Sequence, residues 1–189
     1  MCCYDGAFLL DGEEAFIREA MAEFPASFAA VSGECIVDGV GADGEPRGRK
    51  TAVRDFAYTA VDYPSHFAQT RCVFADDQGW CRLESLARGL GIHPWTFKPT
   101  ACWLFPLKVG RGRLVPPPVS HAHDPERVSD TQPGFTTFAR CGRHCAEGAP
   151  WSAVLGEERE YFESAPGLPV WARSGLSVRE VVERLTRGE

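Results

Sequence analysis

The stretch that decides the fold runs from Arg71 to Pro106 and reads RCVFADDQGWCRLESLARGLGIHPWTFKPTACWLFP. It predicts a strand, a tight turn over residues 76–79, a short helix and an extended approach to a second strand. Three cysteines, Cys72, Cys81 and Cys102, lie at the ends of these elements. If the turn folds as a hairpin, the first two thiols meet, and the third arrives from the next strand. The stretch therefore predicts a common use for these thiols.

The length, net charge and cysteine count of the chain limit the possible functions of these thiols. The chain has 189 residues, enough for one domain with a real core, and a net charge of −6, which does not favour nucleic acid as a partner. No segment approaches the roughly 20 apolar residues of a membrane span, and no signal peptide is recognisable at the start. We therefore expect a soluble, cytoplasmic protein. Because a reducing compartment disfavours disulfides, eight cysteines there indicate metal binding or catalysis.

Along the whole chain the pattern alternates between short strands and helices. Strands are predicted over residues 51–58, 70–75 and 135–139, with a hairpin at Gly110-Arg111-Gly112. Helices are predicted over residues 13–24, 83–90 and 151–162, and from Ser177, which forms a capping box with Glu180. This predicts a small single α+β domain in which short antiparallel strands and helices surround a multi-cysteine metal site. Residues 1–150 form the cysteine-rich part, and residues 151–189 form a helical segment packed on it.

Four of the five remaining cysteines fall in two pairs. Cys2 and Cys3 are adjacent, with Cα atoms about 3.8 Å apart, less than the usual disulfide span of about 4.4 to 6.8 Å. They suit metal ligation better than a bridge. Cys141 and Cys145 are about one helical turn apart and form a workable chelate if that segment is helical or tightly turned. Cys35 has no neighbour in sequence and is interpreted as a structural cysteine.

Thiolates are soft, charged ligands, and four of them satisfy a zinc ion or an iron-sulfur cluster. The predicted metal ligands are Cys2, Cys3, Cys72, Cys81, Cys102, Cys141 and Cys145. Seven thiols exceed the needs of one zinc ion, which favours iron in an iron-sulfur cluster, with zinc as the alternative.

Other polar residues lie beside these cysteines. Asp5 follows Cys2 and Cys3 and is a candidate oxygen ligand or base, and Tyr4 is a candidate redox or hydrogen-bonding neighbour, with a packed tyrosine as the alternative. His144, between Cys141 and Cys145, would complete a mixed sulfur-nitrogen shell.

A second candidate metal site has no cysteine. His121, His123 and Asp124 would place two imidazoles and a carboxylate together in an extended chain. The alternative is a solvated surface loop.

Three blocks of sequence together resemble a known family. CCYDGAFLLDGEE at residues 2–14, CVFADDQGWC at 72–81 and KPTACWLFPL at 98–107 are similar to the zinc- or iron-chelating proteins with a CxxCxxCC-type signature, the YkgJ-like and DUF3109-like groups. The resemblance implies that five cysteines are ligands. These are Cys2, Cys3, Cys72, Cys81 and Cys102. It also implies a frame that holds Cys102, made of Lys98, Pro99, Phe105 and Pro106.

The chain departs from this family at its start. Members have one or two cysteines shortly before the Cys-Cys pair, and here only Met1 precedes it, so Cys141 and Cys145 are candidate replacements. One related class, the flagellin lysine methylases, is thought to hold an iron-sulfur cluster. No glycine loop for S-adenosylmethionine is recognisable in this sequence, so the resemblance does not extend to methyl transfer.

Two functions are consistent with these observations. In the first, the protein is a cytoplasmic iron or iron-sulfur enzyme that modifies a small molecule or a peptide. In the second, it is a non-catalytic zinc- or iron-chelating module with a structural or interaction role. An open coordination position would distinguish the first from the second.

Overall fold

Short antiparallel strand pairs and helices build an α+β fold, as predicted, and the computed structural model describes residues 4–40, 44–110, 113–164 and 175–188. The strands are β1 (Ile36–Val40), β2 (Pro46–Thr51), β3 (Val53–Asp55), β4 (Thr70–Cys72), β5 (Lys108–Gly110) and β6 (Arg113–Val115). The helices are α1 (Glu13–Glu23), α2 (Arg82–Gly89), α3 (Thr100–Trp103), α4 (Phe135–Phe138), α5 (Trp151–Val154), α6 (Gly156–Ser164) and α7 (Val178–Thr186).

The strands pair in sequence order as β1–β2, β3–β4 and β5–β6, all antiparallel. The β5–β6 hairpin was predicted from its glycines. The N-terminal segment lies along the other edge of β2, where Phe8 bridges Lys50 and the Leu9 amide donates to the Arg49 carbonyl at 2.9 Å. In the second pair Val53 lies opposite Cys72. The N-terminal segment therefore runs close to the end of β2, where the chain enters β3 and meets Cys72.

Helices α1, α2 and α7 share the main hydrophobic core. Its buried side chains include Phe16, Ile17, Phe28, Ile36, Phe74, Leu83, Leu86, Phe97, Val178 and Val181. The predicted capping box is confirmed, because Ser177 accepts from the Glu180 amide while the Glu180 carboxylate accepts from Ser177. The Val178 amide also donates to the Glu19 carboxylate of α1 at 3.0 Å. The start of α7 is thus fixed both locally and by α1.

Three sequence predictions are wrong in detail. Of the strand predicted over residues 135–139, Phe135–Phe138 is helical, and Cys102 lies on helix α3 rather than on a strand. The helix predicted over residues 151–162 is interrupted at Leu155, whose φ of −106° and ψ of 37° are not helical, which separates α5 from α6. No helix formed by the described residues is both long and apolar enough to cross a membrane.

Candidate functional site

The turn between β4 and α2 folds back on itself and sets the positions of Cys72 and Cys81. Ala75 and Cys81 form an antiparallel bridge, and the Arg82 amide donates to the Phe74 carbonyl at 2.8 Å. Cys72 is buried at the end of β4, and Cys81 is half-buried at the start of α2. The turn predicted over residues 76–79 therefore places these two cysteines on the two arms of one hairpin.

Cys81 occupies the N-cap position of α2, with extended backbone angles (φ −78°, ψ 120°). Burial raises the pKa of its thiol, and a charge on Cys72 raises it further. The backbone amide of Glu84, in the first turn of α2, and the nearby Lys98 cation act in the opposite direction. The site around Cys81 thus combines a low-dielectric environment with amide and ammonium groups that stabilise negative charge on sulfur.

Lys98 is the positive charge at the centre of this region. Its ammonium lies 2.8 Å from the Glu84 carboxylate, and only 16% of its side chain is exposed. Burial opposes its charge, but the hydrogen bond with Glu84 and the charges of Cys81 and Cys102 together raise the pKa of Lys98. Lys98 is therefore near both thiols, and it links the hairpin to the segment that carries Cys102.

A buried carboxylate fixes that segment. Glu13 is only 5% exposed, and its Oε1 accepts from both the amide and the hydroxyl of Thr100 at 2.7 Å. Its Oε2 accepts from the Leu10 amide at 2.9 Å. Burial raises the pKa of Glu13, against the effect of these hydrogen bonds. One side chain thus joins the start of α1, the N-terminal segment and the start of α3, where Cys102 lies.

Thr51 joins the N-terminal segment to Cys72. Its hydroxyl is buried, accepts from the Ala7 amide at 2.8 Å and lies 3.3 Å from the Cys72 sulfur, which donates to it. Gly6 has a φ of +72°, and a Cβ there would overlap the Thr51 carbonyl oxygen, so the close approach of the chain requires glycine. The hydroxyl holds the segment against β2 directly beside a buried thiol.

We expect Thr51→Val, which keeps the shape of the side chain, to lower the free energy of unfolding by about 1 to 3 kcal/mol. The buried Ala7 amide would lose its acceptor, and the Cys72 thiol would lose its hydrogen bond. Urea denaturation measures the change. Thr186→Val is the matched control, since this exposed hydroxyl bonds only within its own helix, and a loss as large as that of Thr51→Val would contradict the special role of Thr51.

Tyr4 and Asp5 are both held by contacts. The Tyr4 carbonyl accepts from the Thr70 hydroxyl at 2.6 Å, and its ring stacks on Phe135 at 4.5 Å. Burial, with a smaller contribution from Asp5, raises the pKa of Tyr4 to about 12. Asp5 pairs with Lys50 at 3.0 Å. The ring contacts of Tyr4 match the packed tyrosine given as its alternative, and the role of Asp5 as an oxygen ligand or base stays a prediction.

The first cysteine pair, Cys2 and Cys3, lies outside the described residues. The chain that follows it is anchored at Thr70, two residues before Cys72 in β4. The described part of the N-terminal block therefore begins beside the hairpin.

The second cysteine pair has a different environment. Cys141 and Cys145 are exposed, and so is His144 between them. A single 3₁₀ turn covers Arg140–Gly142, and Arg143 is extended with φ −76° and ψ 129°. The helical chelate geometry expected from the spacing is therefore absent between these cysteines. They differ from Cys72 and Cys81 in burial as well.

The histidine-aspartate segment has a structural use. Residues 121–123 form a 3₁₀ helix instead of the expected extended chain, and Nε2 of His121 lies 3.0 Å from the carbonyl of residue 130. Asp124 is 2% exposed and accepts from the Thr137 hydroxyl at 2.7 Å. These bonds engage the Asp124 carboxylate and Nε2 of His121, whereas Nδ1 of His121 is buried with no hydrogen-bond partner among the described residues. The segment organises the chain in front of α4.

None of the six cysteines in the described residues takes part in a disulfide. Within those same ranges, no three His, Cys, Asp or Glu side chains come close enough to hold a metal ion together. Two important residues, Glu13 and Thr51, were not recognised from sequence as parts of this region, because their partners are 87 and 44 residues away. No protein-family model, curated protein or solved structure matches the chain.

Proposed function

We propose that this protein is a cytoplasmic metalloprotein that binds iron, with an iron-sulfur cluster favoured, through clustered cysteines. The ligands in this proposal are Cys72, Cys81 and Cys102, together with Cys2 and Cys3 from the N-terminal pair. One observation carries the proposal: the turn between β4 and α2 places Cys72 and Cys81 on the two arms of one hairpin. Lys98, which precedes the segment of Cys102, is joined to α2 by its ion pair with Glu84. Cys72, Cys81 and Cys102 are the three cysteines of the blocks that resemble the zinc- and iron-chelating family.

The chemistry of the donors suits a thiophilic metal. Thiols that are buried resist ionisation, as the raised pKa values of Cys72 and Cys81 indicate. A metal cation replaces their protons and supplies the positive charge that the interior lacks. Lys98 then offsets part of the excess negative charge that several thiolates bring. The same burial disfavours a freely reactive cysteine, because the reactive form of the side chain is the thiolate.

A four-ligand metal site needs at least one ligand beyond the three thiols of the hairpin and α3. Tetrahedral zinc and common iron-sulfur clusters take four protein ligands, and the proposal assigns three of them to the hairpin and α3. Because these three thiols do not form a ligand group in the described residues, metal binding would have to draw them together. The segment after Cys2 and Cys3 is held beside Cys72 by Thr51 and Thr70. In this proposal the N-terminal pair completes the set. Cys141 and Cys145 are the second choice, because they are exposed.

A non-catalytic zinc- or iron-chelating module is the alternative function. This alternative is supported by the state of the residues suggested for a catalytic role, because two of them are engaged in structural contacts. Tyr4 is packed with a pKa of about 12, and Asp5 is paired with Lys50. His144 is exposed beside the second cysteine pair. If the protein is instead an enzyme, its proposed substrate is a small molecule or a peptide, with neither nucleic acid nor membrane as a partner.

Anaerobic purification followed by metal analysis and visible absorption spectroscopy tests the proposal. We expect stoichiometric iron and the visible absorption of an iron-sulfur cluster. Both should be lost when the sample is treated with a chelator under air. A colourless protein with one zinc ion per chain would overturn the iron assignment and favour the chelating module. Protein that contains no metal, and that takes up neither iron nor zinc on reconstitution, would overturn metal binding altogether.

A further inference from the structure

A groove runs between the end of α1 and one side of α2. Its volume is about 420 Å³, within the range of about 300 to 1,000 Å³ that small-molecule sites occupy. The residues that line it are Phe24, Ser27, Asp76, Arg82, Ser85, Leu86, Gly89 and Leu90. None of them is among the proposed metal ligands, although Asp76 and Arg82 belong to the hairpin that carries Cys72 and Cys81.

The groove combines an apolar floor with polar edges. Phe24, Leu86 and Leu90 supply the apolar part, and Leu86 is buried in the core from its other side. Gly89 leaves the helix surface open, since nothing lies within 4 Å of the position that a Cβ would take there. A ligand with an apolar portion would therefore exclude water from this floor.

Two opposite charges line the same groove without pairing. Asp76 is held by the turn, because its Oδ1 accepts from the Trp80 amide at 2.8 Å. Arg82 is held at the first position of α2, where its amide donates to the Phe74 carbonyl at 2.8 Å. Across the described ranges neither side chain forms an ion pair within 4.0 Å, either with the other or with a third residue.

This arrangement selects among ligand charges. A purely anionic ligand that reaches Arg82 is also repelled by the Asp76 carboxylate. A purely cationic ligand that reaches Asp76 is likewise repelled by the Arg82 guanidinium. A zwitterion satisfies both, because its carboxylate binds the guanidinium while its ammonium binds the carboxylate. The apolar floor then favours an aliphatic or aromatic group on the same molecule.

We propose that this groove binds an α-amino acid with an apolar side chain. Arg82 binds its carboxylate, Asp76 binds its ammonium, and Phe24, Leu86 and Leu90 contact its side chain. The hydroxyl groups of Ser27 and Ser85 are additional polar groups at the edges. This assignment is independent of metal binding and stands whether or not the cysteines bind iron.

Amide NMR titrations of the full chain with three related probes test the proposal. Leucine carries both charges, leucinamide lacks the carboxylate, and isocaproate lacks the ammonium. We expect leucine to shift the amides around residues 24–27 and 82–90 saturably, and each analogue to bind about tenfold more weakly or worse. The absence of saturable shifts there, or equal binding of leucine and leucinamide, would overturn the proposal.

Two variants assign the charges separately. Arg82→Gln should reduce leucine affinity to that of leucinamide and leave leucinamide itself unchanged. Asp76→Asn should remove the preference for leucine over isocaproate, and its amide oxygen still accepts from the Trp80 amide, so the turn is kept. Arg88→Gln is the matched control on α2, since Arg88 pairs with Glu84 and does not line the groove. Equal loss in Arg82→Gln and Arg88→Gln would contradict the assignment.

Discussion

Replacing Cys81 by serine is expected to abolish metal binding while leaving the metal-free fold intact. Serine oxygen is a poor ligand for the soft metals that thiolates bind. Yet Cys81 is the N-cap residue of α2, and serine is among the best residues at that position, worth about 0.5 to 1 kcal/mol over residues that cannot cap. Loss of metal in Cys81→Ser therefore cannot be attributed to loss of the helix.

The measurement compares unfolding with and without metal. A metal at about 100 times its dissociation constant stabilises the native state by about 2.7 kcal/mol. We expect this gain in the natural protein and not in Cys81→Ser, whereas the two metal-free proteins should differ by about 1 kcal/mol or less. Metal content by elemental analysis should fall in parallel.

Cys35→Ala is the matched control for a buried thiol outside the site. Cys35 is 5% exposed, and its sulfur lies 3.6 Å from the Met21 sulfur. We expect this variant to lose about 1 kcal/mol of stability through its small cavity and to keep its metal. Full metal content in Cys81→Ser, or equal loss in both variants, would remove the hairpin from the metal site.

Glu13→Ala is expected to lower the free energy of unfolding by about 3 to 5 kcal/mol. The change leaves two buried donors, the amide and the hydroxyl of Thr100, and the part-buried Leu10 amide without their acceptor. Each unsatisfied buried group costs about 1 to 3 kcal/mol. Urea denaturation with an unchanged slope would show that stability, and not the compactness of the unfolded chain, has changed.

The adjacent residue provides the control for this experiment. Glu14 lies on the same turn of α1 but pairs at the surface with Arg49 and Arg18. Exposed ion pairs contribute little, so Glu14→Ala should cost about 1 kcal/mol or less. A similar loss in both variants would show that Glu13 stabilises only its own helix and does not join it to α3.

The helices that sequence predicts well are those whose signals are local. Helix α7 has both members of its capping box within its first turn, at Ser177 and Glu180. Helix α2 has apolar residues at helical spacing, and Gly91 just beyond its end takes a φ of +69°, a left-handed conformation that glycine adopts readily after a helix. In each case the residues that start or stop the helix are neighbours in the chain.

The short helices α3 and α4 were not predicted from sequence, because side chains distant in the chain stabilise their first turns. The Thr100 amide at the start of α3 donates to Glu13, 87 residues away. In α4 the Thr137 amide donates to Asp124 at 3.3 Å, from a separate loop. Neither helix has a side-chain cap of its own. A local pattern of β-branched and aromatic residues then resembles a strand, and only the tertiary partner decides otherwise.

The same contrast applies to the candidate site. Cys72 and Cys81 lie on the two arms of one hairpin because of the turn between them. That turn can be predicted from the local sequence. The roles of Thr51 and Glu13 depend on contacts between segments far apart in the chain, which no spacing rule reveals. The placement of Cys72 and Cys81 on one hairpin was therefore easier to predict than the hydrogen bonds of Thr51 and Glu13.

The docking of α7 on α1 also has a consequence for how quickly the protein folds. The hydrogen bond between Val178 and Glu19 closes a loop of 159 residues. The entropy of closing a loop grows only slowly with its length, so this contact costs little at equilibrium, but non-local contacts slow the search for the native state. The β1–β2 hairpin forms early by comparison. Before α7 docks, the face of α1 that it covers is exposed to water. Aggregation through this exposed apolar surface is then expected to compete with folding.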